Sequence, residues 1–274
     1  MCALSLAYAS GSGFQLTQLL PANHTRPFAT KHMIELSAKI ILLDIEGTTS
    51  SIDFVHKSMF PFARERTDAF VRENWDSEVL NDCIDLLAKD LDHETAQSWL
   101  GSTADPQQTV IDAVIGMIDG DVKATGLKQL QGIIWKDGFH SGELVAHLYD
   151  DTAPAMKRWK EAGLDLRIYS SGSIAAQKLF FGHSVAGNML DLFSAHYDTT
   201  TGPKKEPASY EKIVADCGVA AESIVFVSDV PTELDAAASA GMQTVLSLRP
   251  ENPSVENTTK HNAIESFEEL VIKV

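Results

Sequence analysis

Residues 40–49 read Ile-Ile-Leu-Leu-Asp-Ile-Glu-Gly-Thr-Thr. Four branched apolar residues run straight into Asp44, and Glu46 follows two positions later, ahead of a Gly-Thr-Thr turn. A short apolar run without alternation is the pattern of a strand buried on both faces, as in parallel sheets. Open parallel sheets build their sites at the carboxyl ends of such strands. On extended chain, residues i and i+2 point the same way, so Asp44 and Glu46 are expected to converge. Two converging carboxylates suit either of two jobs: holding a hard cation, or dividing nucleophile and acid/base roles between them.

Beyond this strand the pattern changes. From Phe54 to Tyr149 helical spacing dominates and strand-like alternation is nearly absent. Val55, Met59, Phe62, Ala63 and Phe70 share one helical face, with Pro61 placed to kink or split it. Further amphipathic runs centre on Ile84–Leu87 and Val110–Ile118, and Leu127 to Leu148 fits one or two more helices. From residue 150 helices and strands alternate. The expected order is a helix through Pro154 to Gly163, strand Leu164–Tyr169, helix Ile174–Phe181, strand Ala195–Tyr197 and helix Tyr210–Cys217. Strand Ser223–Val227, helix Leu234–Ala240, strand Gln243–Leu248 and a last helix over Phe267–Val271 follow. This alternation implies βαβ units around a mainly parallel sheet. The expected organisation is an α/β core of residues 37–55 and 150–274, interrupted by a helical insertion over 56–149.

The chain has 274 residues, enough to bury a sizeable core. With 38 Asp and Glu against 22 Lys and Arg, its formal net charge is −16, which argues against nucleic acid or an anionic membrane as a partner. Cys2, Cys83 and Cys217 are odd in number and lack metal-ligand spacing, which suits a reducing, cytoplasmic setting. No apolar run approaches the ~18 residues of a membrane span. Residues 1–32 contain no Asp or Glu and are rich in Ser, Thr and Gly. They read as a disordered tail or an upstream start before Met33, or as a weak organelle transit segment, and residues 1–36 are set outside the fold.

Three expected strand ends carry polar side chains: Asp44 and Glu46, then Ser170 and Ser171, then Asp229. Gly202-Pro203-Lys204-Lys205-Glu206 lies between the last two. In a parallel sheet these ends share one edge. Taken singly, Ser170-Ser171-Gly172-Ser173 fits a helix cap, Lys204 and Lys205 fit surface charges, and Asp229 fits a cap. Their joint order points instead to phosphoryl transfer. Carboxylates alone would repel a doubly charged phosphate. Mg²⁺ on oxygen ligands would bridge that repulsion, and a lysine with serine hydroxyls would cradle the phosphate oxygens. Asp44 then stands as the nucleophile, and Glu46 as the group that protonates the leaving oxygen and activates water.

The motifs Asp44-Ile-Glu-Gly-Thr-Thr, Tyr169-Ser170-Ser171-Gly172-Ser173, Gly202-Pro203-Lys204 with Ser209-Tyr210, and Val227-Ser228-Asp229-Val230 resemble the haloacid dehalogenase superfamily. Glu46, where superfamily relatives generally have a second Asp, resembles the enolase-phosphatase (acireductone synthase) family within it. Phe54-Val55 with Met59-Phe60-Pro61, the Leu127–Gly132 run, the Ala176–Ser184 run and Arg249-Pro250 extend that resemblance over roughly residues 38–270. It implies a Rossmann-like core with a helical cap. It further implies conversion of a phosphorylated diketone, through an enol phosphate, to acireductone and phosphate in methionine salvage, with one Mg²⁺ per subunit. By the same resemblance Asp44, Glu46 (through its backbone carbonyl) and Asp229 hold the metal, and Ser170, Ser171 and Lys204 contact the substrate phosphate. Lys204 is preferred to Lys205 on its spacing to Ser209-Tyr210. Glu233, Lys128 and Gln131 are candidates for supporting roles, and His183 is read as structural. The expected protein is a cytoplasmic monomer, also nuclear in a eukaryotic host. A phosphatase for another ester, a retired binding fold and a dehalogenase are the competing readings.

Overall fold

The computed structural model describes residues 33–255 and 260–274. The expected tail therefore lies outside the described residues up to residue 32. Its last residues enter strand β1, Ile34–Ser37, which crosses the boundary placed at residue 36.

The apolar run Ile40–Leu43 forms β2, and all four side chains are buried. It lies inside a six-stranded parallel sheet of order β4-β3-β2-β5-β6-β7. The other strands are β3 Asp165–Tyr169, β4 Phe193–Tyr197, β5 Ile224–Ser228, β6 Gln243–Ser247 and β7 Asn262–Ile264. Leu43 is in register with Ile168 of β3 and Val227 of β5. The period-two alternation of β2 sorts its side chains onto two cores. Ile41 and Leu43 join Val225, Val227, Trp159 and Phe181 on one face. Ile40 and Leu42 join Ile224, Phe226, Tyr210 and Leu234 on the other. The first face is covered by α7, Thr152–Glu161, and α8, Ile174–Gly182, the second by α9, Pro207–Cys217, and α10, Pro231–Ser239. The chain runs outward from β2 to β3 and β4, then restarts at β5 on the opposite side. A crevice at the carboxyl end of β2 is the geometric result.

Between β2 and β3 the chain is helical. α1 spans Ile52–Phe54, a five-residue π-helix covers Val55–Met59, and α2 spans Phe60–Glu73. α3 is Glu78–Asp90, α4 Ala96–Leu100, α5 Pro106–Asp119 and α6 Thr125–Ser141. Leu80, Leu87, Val110, Val114 and Leu130 form a core of their own within this layer. Pro61 does not break the run, because it stands at the first turn of α2, directly after the wide π turn. α6 also reaches toward the sheet. Its Trp135 Nε1 donates to the Met59 carbonyl at 2.8 Å, and Phe139 joins the core on the sheet.

Three local expectations are corrected. Helix does not continue to Leu148: Gly142, at φ 78°, ends α6. Phe267–Val271 is not a helix. Phe267–Glu269 is a single 3₁₀ turn, and Leu270–Lys273 is β8, which pairs in parallel with β1. Its alternating buried and exposed residues follow a period of two. Strands β1 and β7 were not anticipated, being only four and three residues long. No helix among the described residues is long and apolar enough to cross a membrane.

The helical layer yields a test in which propensity and packing disagree. A Cβ on Gly126 would stand 2.5 Å from the backbone nitrogen of Leu87 in α3. Helix propensity favours Gly126→Ala by up to about 1 kcal/mol. We expect packing to win, with a net loss of roughly 1–3 kcal/mol in denaturant unfolding. A variant more stable than the parent would contradict the close approach.

Candidate active site

The carboxyl edge of the sheet gathers the polar strand ends. Asp44 follows β2 directly, Ser170 follows β3, and Asp229 follows β5. The backbone past Leu43 is a turn rather than strand, since the amides of Thr48, Thr49 and Ser50 converge on the Ile45 carbonyl. Asp44 and Glu46 nonetheless face one cavity, while Ile45 between them is buried.

A lysine holds the centre. Lys204 Nζ lies 2.7 Å from Asp44 Oδ2 and 2.6 Å from Glu233 Oε2, with all three side chains almost fully buried. Ser228 Oγ lies between the same two oxygens, at 3.1 and 3.2 Å, and its single proton serves one at a time. The other Asp44 oxygen accepts from the Ile45 amide at 2.8 Å, so rotation of this carboxylate is fixed. Lys204 is delivered by a tight loop. Tyr169 donates its hydroxyl to the Gly202 carbonyl, Ser209 to that of Pro203, and Tyr210 to that of Lys204 itself. Gly202 must be glycine, because a Cβ there would collide with Ser209 Oγ. Lys205, by contrast, is exposed, so the loop turns only Lys204 inward.

The charges are unbalanced. Glu46, Asp229 and Glu233 join Asp44 around one ammonium group. Burial, and then the Asp44 charge, raises the carboxyls of Glu46 and Asp229 to about 7 each. The same two causes raise Glu233. Burial alone would lower Lys204, but Asp44 and Glu233 outweigh it and hold its ammonium above the ordinary lysine range.

The turn after Asp44 is anchored by residues remote in sequence. The Thr49 carbonyl accepts from Thr152 Oγ1 at 3.0 Å. Arg249 Nε donates to the Thr48 carbonyl at 3.1 Å, and its Nη1 meets Asp151 at 2.8 Å. Asn252 Nδ2 donates to the Gly47 carbonyl at 2.8 Å. Gly47 has φ 66°, and a Cβ there would strike the Asp229 carboxylate. The Asp229 side chain thus lies directly against the Glu46–Gly47 backbone. Arg249 stood out in the sequence only as part of a motif. Asp151, Thr152 and Asn252 carried no local signal, because their partners lie 98 to 205 residues away.

Two cavities adjoin. The smaller, about 180 Å³, is lined by Asp44, Glu46, Ile52, His56, Ser171, Lys204, Asp229, Val230 and Glu233. The larger, about 430 Å³, is bounded by Met59, Phe60, Met117, Leu127, Trp135 and Phe180, with Lys128, Gln131 and Ser170 among its polar groups. Ser170 thus lines the chamber and Ser171 both spaces. Neither cavity includes His183, whose Nδ1 pairs with the Leu179 carbonyl at 3.0 Å.

Asp44, Glu46, Asp229 and Glu233 line the small cavity, so carboxylate oxygens there could meet a hard cation. Among the described residues no three His, Cys, Asp or Glu side chains form a metal-holding group. Two carboxylates supplemented by a carbonyl, water and a ligand phosphate are nevertheless how proteins usually bind Mg²⁺. Burial first, and then the Asp44 charge, raises Asp229, and a cation at this place would offset the second of these.

A family model of haloacid dehalogenase-like hydrolases matches residues 38–241. The enolase-phosphatase E1 of Synechococcus elongatus is 46% identical over 241 residues, covering 86% of this chain and 99% of that protein. That of Drosophila mojavensis is 42% identical over 238 residues, covering 86% and 96%. The crystal structure of the UTR4 protein of Saccharomyces cerevisiae superposes with a TM-score of 0.70 at 33% identity, covering 85% of this chain and 99% of that one. CbbY of Rhodobacter sphaeroides, solved in complex with phosphate, shares the fold with a TM-score of 0.52 at 18% identity, covering 84% and 95%. With its carboxylates, lysine and serines gathered at the carboxyl edge of a parallel sheet, the chain belongs to the haloacid dehalogenase-like hydrolases and, among them, to the enolase-phosphatase E1 family.

Proposed function

We propose that this chain is a Mg²⁺-dependent enolase-phosphatase, an acireductone synthase of methionine salvage. Its substrate is 5-methylthio-2,3-dioxopentyl 1-phosphate, and its products are acireductone (1,2-dihydroxy-5-methylthiopent-1-en-3-one) and phosphate. The observation that carries this choice is the junction of two unlike spaces. A small ionic cavity around Asp44 and Lys204 suits a phosphate, and the adjoining chamber, walled by Met59, Met117 and Trp135, suits a thioether tail. A phosphatase for polar sugar phosphates would have little use for such a chamber.

In this reading an Asp44 oxygen attacks phosphorus while the bond from phosphorus to the ester oxygen breaks. Glu46 gives its proton to that departing oxygen. Glu46 then takes a proton from water, the water oxygen displaces Asp44 from phosphorus, and inorganic phosphate leaves. The raised Glu46 carboxyl is in keeping with proton donation near neutrality. Ile45 N–H and Ser228 Oγ orient the Asp44 carboxylate, and Lys204 and Ser171 meet the phosphate oxygens, with Ser170 on the chamber side. Asp44, Asp229 and the Glu46 carbonyl would hold one Mg²⁺, which would supply positive charge beside the substrate phosphate. Glu233 keeps Lys204 charged and aimed. The helices of residues 56–149 act as a cap that excludes water from the chamber. The expected molecule is a monomer, and its place is the cytoplasm, with the nucleus added in a eukaryotic host.

The deciding assay is phosphate release from the diketone phosphate with and without Mg²⁺, compared with a panel of sugar phosphates, with the enol followed by absorbance. Preference for a sugar phosphate would overturn the substrate. Asp44→Asn is expected to lower phosphate release at least about a thousandfold with melting retained, and turnover above a few per cent of the parent would remove Asp44 from its role. Excess chelator is expected to stop turnover and Mg²⁺ to restore it, whereas full activity in chelator would exclude a metal-dependent mechanism. Gly132 lines the chamber, and nothing lies within 4 Å of a Cβ built on it. Gly132→Leu should therefore keep the fold while occupying the tail space. We expect KM for the diketone phosphate to rise about tenfold, in keeping with roughly 1–3 kcal/mol for crowding a fitted site. An unchanged KM would place the tail elsewhere.

A further inference from the structure

This inference rests on the enolase-phosphatase reading and supplies the one proton acceptor it leaves unassigned. Among the described residues, three side chains line both cavities: Glu46, His56 and Ser171. With phosphorus beside Asp44 and the thioether tail in the chamber, the phosphate-bearing carbon C1 and the carbonyl carbon C2 must cross this junction. The C1–H bond broken in enolisation is therefore in reach of these three groups. Ser171 offers only a hydroxyl, and Glu46 has to enter the phosphatase step carrying the proton that it gives to the ester oxygen. His56 remains, and an imidazole nitrogen offers a lone pair that can take a proton.

Its backbone setting is also distinctive. His56 is the second residue of the π-helix Val55–Met59, between α1 and α2. Such segments are rare and concentrate at functional sites, because the widened turn re-aims a side chain. The ring packs edge-on to Phe60, with centroids 5.7 Å apart. The charged groups that share the chamber with it are Glu46 from the turn after β2, and Asp121, Lys123 and Lys128 from the loop between α5 and α6 and the start of α6. Asp121 is ion-paired with Lys123.

We propose that His56 is the base that enolises the substrate. An imidazole nitrogen binds the proton as the C1–H bond breaks, and that electron pair becomes the C1=C2 bond. The carbonyl π pair passes to the C2 oxygen, which takes the proton carried by Glu46. The imidazolium then returns a proton through solvent to the Glu46 carboxylate, which is ready to protonate the ester oxygen. The sum is an isomerisation with no proton gained or lost.

The test follows deuterium loss from C1 of a C1-dideuterated phosphonate analogue of the diketone phosphate, in which CH₂ replaces the ester oxygen and dephosphorylation is blocked. His56→Ala and His56→Gln are expected to slow this loss at least about a hundredfold while melting within a few degrees of the parent. Added imidazole should restore the rate of the alanine variant at least tenfold, which a structural role would not allow. Exchange within threefold of the parent in either folded variant, or a loss in the alanine variant that imidazole leaves unchanged, overturns the assignment. If the parent itself neither exchanges C1 nor releases phosphate from the diketone phosphate, the failure belongs to the enolase-phosphatase reading and not to His56.

Discussion

A single buried ammonium group organises the catalytic edge. Lys204 is shared between Asp44 and Glu233 at 2.7 and 2.6 Å, in a place almost closed to water. Removing one partner of a buried ion pair typically costs about 3–5 kcal/mol, so each of the three constrains the others. The arrangement is poorly suited to stability alone, since it buries more negative than positive charge. That excess is what the proposed cation would offset.

The constraint spreads outward through backbone. Lys204 can reach Asp44 only because three hydroxyls, from Tyr169, Ser209 and Tyr210, hold the carbonyls of residues 202–204. The turn after Asp44 is held in its own way, by Thr152, Arg249 and Asn252. Arg249 lies over the Tyr149 and Phe267 rings at 4.4 and 4.6 Å, which ties the 3₁₀ turn near the carboxyl end of the chain to the segment ahead of α7. Segments far apart in sequence thereby fix a turn of a few residues, and that rigidity is what preorganised electrostatics needs. On its other side the site opens into a chamber walled by apolar side chains of the helical layer together with Phe180 of α8.

Much of this could be read from residues alone. The unbroken run Ile40–Leu43 announced a doubly buried strand, and polar residues after Leu43, Tyr169 and Ser228 announced a common edge. Short strands escaped notice because three or four residues carry too little periodicity, as β7 shows, and Phe267–Val271 was read as helix for the same reason. Lys204 and Lys205 were separable by motif spacing but not by any property of the two side chains. The choice depends on a turn whose anchors, Tyr169 and Tyr210, belong to other elements. His56 carried no signal, since one histidine on a helical face looks like many others.

The inner strands of the sheet, the helical interruption and the kind of chemistry were legible in the residues alone, because buried runs, periodicity and strand-end carboxylates are local properties of the chain. Which lysine turns inward, which serine lines which space, and that a histidine of the helical layer shares two cavities with a glutamate of the sheet edge were settled only by the tertiary structure. Those are relations between segments brought together by packing, and no local pattern of residues encodes a distance across the fold.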